Sequence, residues 1–200
     1  YVRRLKAAGI QERHLQDWTF ASATDTPSIQ MAKRYTENWK KVKAENLGLL
    51  LWGDVGTGKS FLAACIANAL LEKGVPVLMT NFSKILNQMG AMYSDERYRY
   101  IASFNRFSLL IIDDLGIERN TEYALEQVYA VIDERYKTGL PLIITTNLTI
   151  SQLRNPEDVA HARIYSRVLE MCTPVHVPGH DRRTTIGKSK QELVKEVLFS

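Results

Sequence analysis

The sequence predicts a doubly wound α/β fold: a parallel five-stranded sheet with helices on both faces. Three observations predict it. Apolar runs of strand length alternate with helical periodicities along the chain. The runs are apolar throughout rather than alternating, as strands covered on both faces are. The first run leads through a glycine-rich turn directly into an amphipathic helix.

In chain order, Pro27 and Ser28 open a helix with Ile29, Ala32, Trp39 and Val42 on one stripe, expected to run to about Glu45. Residues 47–52 form a buried strand. Residues 61–73 are helical, with Leu62, Ile66 and Leu70 four apart and Gly74 as the stop. A second strand follows over 75–80, then helices over 83–93 and 95–104. The third strand, 107–112, is ended by two aspartates. A long helix over 122–137 is closed by Gly139. The fourth strand covers 141–146, a helix 157–171, the short fifth strand 174–177 and a last helix 191–198. Residues 21–27 read as a linker, dividing an N-terminal arm (1–27) from the core domain (28–200). The chain begins with Tyr1 rather than Met, so a further segment is expected upstream.

A chain of 200 residues, 45% hydrophobic and 24% charged, can bury a core and make one domain. No run of 18 apolar residues occurs, so no membrane span is expected, and nothing reads as a signal peptide. Two cysteines, Cys65 and Cys172, exclude a disulfide scaffold and a four-cysteine zinc site. Both fall in helical patterns and read as buried, reduced thiols of a cytoplasmic protein. His161, His176 and His180 show no metal-ligand spacing. The net charge of +4 is unevenly spread: Lys and Arg outnumber Asp and Glu 9 to 5 over 1–46 and 7 to 4 over 161–200, but trail 10 to 13 between. Basic ends fit either a solvated face or contact with an anion such as nucleic acid.

The strongest motif is Gly53-Asp54-Val55-Gly56-Thr57-Gly58-Lys59-Ser60, which matches G-x-x-x-x-G-K-[ST] between a strand and a helix. Its glycines let the backbone wrap a phosphate and aim several N–H groups at it. The helix that follows adds its positive end. Lys59 is expected to reach the β- and γ-phosphates, and the Ser60 hydroxyl to ligate Mg²⁺. Phe61 joins this loop as a nucleotide contact.

The third strand ends in Asp113 and Asp114. Phosphoryl transfer needs one carboxylate beside the metal and another group to orient or deprotonate the attacking water. Asp113 suits the first place and Asp114 the second; the bland alternative is a pair that only caps the strand. Asn147 leaves the fourth strand at the edge where open parallel sheets bind ligands, though asparagine is also an ordinary turn residue.

These pieces together resemble the AAA+ ATPase domain of bacterial DnaC/DnaI-type helicase loaders, with the IstB transposition helpers related. The resemblance rests on the phosphate loop, on Leu109-Leu110-Ile111-Ile112-Asp113-Asp114-Leu115-Gly116, and on Pro141-Leu142-Ile143-Ile144-Thr145-Thr146-Asn147-Leu148. Gly9-Ile10, Thr19-Phe20, Ala162-Arg163-Ile164-Tyr165-Ser166-Arg167-Val168 and Gly179-His180-Asp181-Arg182-Arg183 extend it over nearly the whole chain. It implies ATP and Mg²⁺ as cofactors, at most a vestigial lid, and slow hydrolysis within an ATP-dependent homo-oligomer. Asn147 takes the sensor 1 place, Arg163 the arginine finger acting on a neighbour's ATP, and Arg183 the sensor 2 place. Arg167 and Arg182 are the respective runners-up. The implied partners are a replicative helicase hexamer and single-stranded DNA, with no membrane.

One departure is Asp114, where most AAA+ ATPases carry glutamate; its side chain is one methylene shorter. Asp114 keeps a nucleotide-gated adaptor with negligible turnover as one alternative; an IstB-type transposition helper is the other, and Ile144-Thr145-Thr146-Asn147-Leu148 favours the loader over it. Tyr98 and Tyr100, interleaved with Arg97 and Arg99, suit either stacking on single-stranded DNA or helix packing. Trp18 and Phe20 either flank the adenine or belong to the core.

Overall fold

The computed structural model describes residues 1–116 and 121–179, together with positions 194, 197 and 198. The last predicted helix, any lid after the fifth strand, and His180, Arg182 and Arg183 lie outside the continuously described residues.

The N-terminal segment carries α1 (Val2–Gly9) and α2 (Arg13–Gln16). The predicted 27–45 helix is two, α3 (Pro27–Glu37) and α4 (Trp39–Ala44). Thr26 caps α3, accepting from the Ile29 N–H at 3.3 Å, with Pro27 in its first turn. The break falls at Asn38 (φ −91°, ψ 21°), whose side-chain amide and backbone N–H both donate to the Arg34 carbonyl, at 2.9 and 3.0 Å. Then follow β1 (Gly48–Trp52), α5 (Lys59–Glu72), β2 (Val77–Asn81), α6 (Phe82–Met89) and α7 (Ser94–Ala102). The remaining elements are β3 (Leu109–Leu115), α8 (Glu122–Thr138), β4 (Leu142–Thr146), α9 (Ile150–Arg154), α10 (Val159–Met171) and β5 (Cys172–His176).

Further details differ from expectation. The short helix α9 was not foreseen; Thr149 and Gln152 close a capping box at its start. Cys172 is the first residue of β5 rather than part of a helix, because the chain turns extended there at φ −123°, ψ 123°. Both cysteines are free and buried.

The sheet is parallel throughout, in the order β2-β3-β4-β1-β5. Its strands hide a period of two inside their apolar runs. Leu49, Leu51, Ile111 and Ile143 face one core with α3, α5 and the N-terminal segment. Leu50, Leu110, Ile112 and Ile144 face the other, with α6, α8 and α10. Residues before Pro27 belong to the first core: Ile10 is fully buried, bridges Met79 on the outer edge of β2, and Leu15 is buried with it. Gly9 approaches so closely that a Cβ there would stand 2.1 Å from the Val77 carbonyl oxygen. Asn68 of α5 ties this segment down by donating to the Leu15 and Trp18 carbonyls at 2.8 and 2.9 Å.

β3 is longer than its apolar run. It pairs Ile112 with Ile144 and then Leu115 with Thr146, so a bulge carries both aspartates. Asp114 sits there at φ +58°, a region a short polar side chain tolerates better than most. No described helix is long and apolar enough to cross a membrane.

Candidate functional site

The carboxyl ends of β1, β3 and β4 meet at one edge of the sheet, and the chain leaves β1 there as the glycine-rich loop. Gly53, Gly56 and Gly58 all take positive φ (148°, 80° and 97°). A Cβ built on Gly58 would meet nothing within 4 Å, so that side of the loop is open to a ligand. Gly53, in contrast, is hemmed in by the Val177 carbonyl, 2.7 Å from where a Cβ would stand.

Lys59 opens α5 and is 5% exposed. Its ammonium donates to the Gly53 and Asp54 carbonyls at 2.8 and 2.6 Å, so the loop holds the cation inside its own curve. The Thr57 hydroxyl donates to the same Asp54 carbonyl at 3.1 Å. Asp54 is exposed, as is Val55, which forms part of the cleft mouth. The cleft holds about 380 Å³ and brings together Gly56, Gly58, Lys59, Ser60, Asp114 and Asn147. Trp18, Ser22 and Thr24 close it from the N-terminal segment, beside Phe61, whose ring lies 5.6 Å from that of Trp18.

On the acidic side, Asp113 accepts a hydrogen bond from Thr145 at 2.6 Å and lines one recess with Ser60. Burial pushes its carboxyl above the ordinary 3.8; the Thr145 and Ser60 hydroxyls oppose the shift, and the charges of Asp114 and Glu12 add to it. The Thr145 hydroxyl also accepts the Asp114 N–H at 2.9 Å. Thr146 secures the far side of the bulge, donating to the Leu115 carbonyl at 2.7 Å. The Ser60 hydroxyl and the Asp113 carboxylate are oxygen donors of the kind Mg²⁺ prefers, and they line the same recess.

Four participants were not singled out from sequence. Thr145 is fully buried and fixes both aspartates; its signal was a hydroxyl at the end of the strand beside the aspartate pair. Glu12 lines the acidic side with Asp113 and pairs with Lys84. Ser22 and Thr24 reach the cleft only because the N-terminal segment folds back, which no local pattern announces.

The other predicted residues lie elsewhere. Arg163 is exposed on α10, stacked 4.5 Å over the Tyr129 ring of α8, in a separate shallow depression with Ser166 and Arg167. Arg167 is bound to Asp133 at 3.4 Å and covers the Tyr136 ring at 3.9 Å. Phe20 packs on the α3–α5 core. Tyr98 is 70% exposed, whereas Tyr100 packs edge-on against Phe104 and bonds to Gln88. Arg97 and Arg99 bond to the Met92 and Asp95 carbonyls at 3.0 and 3.3 Å.

A parallel sheet in this order, with a glycine-rich loop after β1 and carboxylates on β3, defines a P-loop nucleotide-binding domain of the AAA+ type. Over residues 2–190 the chain matches the family model described as IstB-like ATP binding protein, and it belongs to that family. It is 28% identical over 162 residues to the replicative helicase loader DnaI of Bacillus subtilis, covering 76% of this chain and 50% of that protein. It is 25% identical over 158 residues to the replicative helicase loader DnaC of Escherichia coli, covering 76% of this chain and 63% of the relative. The chain thus spans about half to two thirds of the length of these relatives. A crystal structure of DnaI superposes with a TM-score of 0.70 at 24% identity, over 90% of this chain and all of that one, which shows the shared fold.

Proposed function

We propose that this domain is an ATP-hydrolysing switch used in loading a replicative helicase hexamer onto single-stranded DNA. The observation that carries the reading is a separation: Lys59, Ser60, Asp114 and Asn147 share one cleft, with Asp113 beside Ser60 in the adjoining recess, while Arg163 stands on another face. One copy then holds ATP, and a second copy completes the site.

In this mechanism the loop N–H groups and Lys59 bind the phosphates. Ser60 and Asp113 would hold Mg²⁺, whose charge would offset that of the phosphates. Asp114 orients a water and accepts its proton as the water oxygen bonds to the γ-phosphorus. The bond to the bridging oxygen breaks, and ADP and phosphate leave. Asn147 bonds the γ-phosphate or the water. Arg163 of a neighbouring copy neutralises the charge that develops, typically worth about 10³–10⁵ in rate. The shorter reach of Asp114 suits slow turnover, as in a timed switch. Exposed Tyr98 and the basic segments offer stacking and phosphate contacts to single-stranded DNA.

The test is helicase-dependent unwinding of a forked DNA by the host's replicative helicase. Addition of this protein and ATP is expected to stimulate unwinding, and Lys59→Ala to abolish the stimulation. ATP hydrolysis without stimulation of the helicase would turn the reading to a transposition helper. ATP binding without hydrolysis would turn it to an adaptor.

A further inference from the structure

Arg163 and Arg167 are one helical turn apart on α10 but are held in different ways. Arg167 spends its N–H groups within the chain: Nη2 lies 3.4 Å from Asp133 Oδ1 and Nη1 4.0 Å from Glu170 Oε2. Among the described residues no carboxylate pairs with Arg163; its guanidinium carbon rests 4.5 Å above the Tyr129 ring. A guanidinium held over an aromatic ring, with no carboxylate on it, has N–H donors left to offer a ligand.

Tyr129 is itself anchored. It packs partly buried against the core beneath α8 and α10, and its hydroxyl donates to Asp133 Oδ1 at 3.4 Å. Asp133 is braced in turn by Lys137 at 2.7 Å. The flanking Ala162 and Ser166 are small, which leaves the guanidinium approachable.

We propose that Tyr129 is a positioning residue for Arg163. It holds the guanidinium against α8, with N–H donors left for the terminal phosphate of ATP bound by a second copy of this chain. This rests on the reading of Arg163 as a finger acting between copies. Misplacing a catalytic group by about 1 Å costs on the order of 10²-fold, so the ring matters as a support although it touches no substrate.

The experiment is a cycle of steady-state ATPase measurements on Tyr129→Met, Arg163→Ala and the double variant, with Tyr129→Phe as the conservative control. Tyr129→Met is expected to lower kcat by about 10–100-fold with KM unchanged. Tyr129→Phe keeps the ring and retains the rate. In the Arg163→Ala background, Tyr129→Met is expected to have no further effect, because the two act as a unit. If Tyr129→Met lowers kcat as much without Arg163, or leaves it unchanged while Arg163→Ala lowers it, the positioning role is overturned and the finger stands. If Arg163→Ala itself leaves kcat unchanged, the finger reading falls and this inference with it. Should the methionine variant fail to fold, Tyr129→Leu serves in the same cycle.

Discussion

Thr145 holds Asp113 and Asp114 with a single hydroxyl, donating to the Asp113 carboxylate at 2.6 Å and accepting the Asp114 N–H at 2.9 Å. The bulge that places two carboxylates opposite one residue of β4 therefore depends on a side chain of β4. Thr145→Val keeps the shape and removes the hydroxyl. It is expected to cost about 1–3 kcal/mol, the penalty for leaving buried polar groups unpaired. It should lower ATP turnover more than ATP affinity, because Lys59 and the loop are untouched. Denaturant unfolding and steady-state kinetics measure both, and unchanged turnover would remove Thr145 from the site.

Asp113 makes a pH prediction with a definite sign. Burial raises its carboxyl above 3.8, so the folded chain binds this proton more tightly than the unfolded chain. Its contribution to stability therefore falls as pH rises from about 3.8 through the raised value. At neutral pH the ionised carboxylate is a net burden on the fold. Asp113→Asn is expected to raise the melting temperature of the nucleotide-free protein at pH 7 while weakening Mg²⁺-dependent ATP binding. The stability gap should close as the pH is lowered. A gap that widens in acid would contradict this account of the carboxylate.

Arg135 is a buried cation, 1% exposed, that fastens the opposite edge of the sheet. It donates to the carbonyls of Phe107 at 2.9 Å, Ser108 at 3.0 Å and Pro141 at 2.8 Å, just before β3 and β4 begin. Burial pulls its guanidinium down to about 10. Arg135→Met is expected to cost on the order of 3–5 kcal/mol by stranding buried acceptors. Arg135→Lys should rescue little, since an ammonium lacks the planar fork. ATP affinity of the folded variant should be normal, because this clasp lies at the amino edge, away from the phosphate loop. Urea unfolding with a parallel nucleotide titration checks both halves.

Burial pushes the Cys65 thiol up to about 12 and raises that of Cys172 as well. Both should resist a thiol reagent at pH 8 in the native protein and react readily in denaturant. Rapid native labelling would contradict their burial.

The glycine-rich loop, its flanking strand and helix, and the aspartate pair were legible because each is a short-range pattern. Four further strands were legible from apolar runs, and α8 from its period and Gly139. What was not legible depends on partners distant in sequence. The bulge at Asp113 and Asp114 is set by Thr145 and Thr146, about thirty residues on. Glu12, Ser22 and Thr24 reach the site because Ile10, Leu15 and Asn68 fold the N-terminal segment onto α5 and β2. The break at Asn38 interrupts an otherwise continuous helical stripe, at φ −91°, ψ 21°.

The central claim is that one copy binds ATP and a neighbour supplies Arg163. The most direct measurement is the ATPase rate of an equimolar mixture of Lys59→Ala and Arg163→Ala proteins. Alone, Lys59→Ala is expected to be inactive and Arg163→Ala to keep only a low residual rate. In the mixture, an Arg163→Ala copy keeps an intact phosphate loop, and a Lys59→Ala copy beside it keeps an intact arginine, so activity should return. A mixture that stays inactive would contradict the account, and recovery with Arg167→Ala in place of Arg163→Ala would move the finger one helical turn.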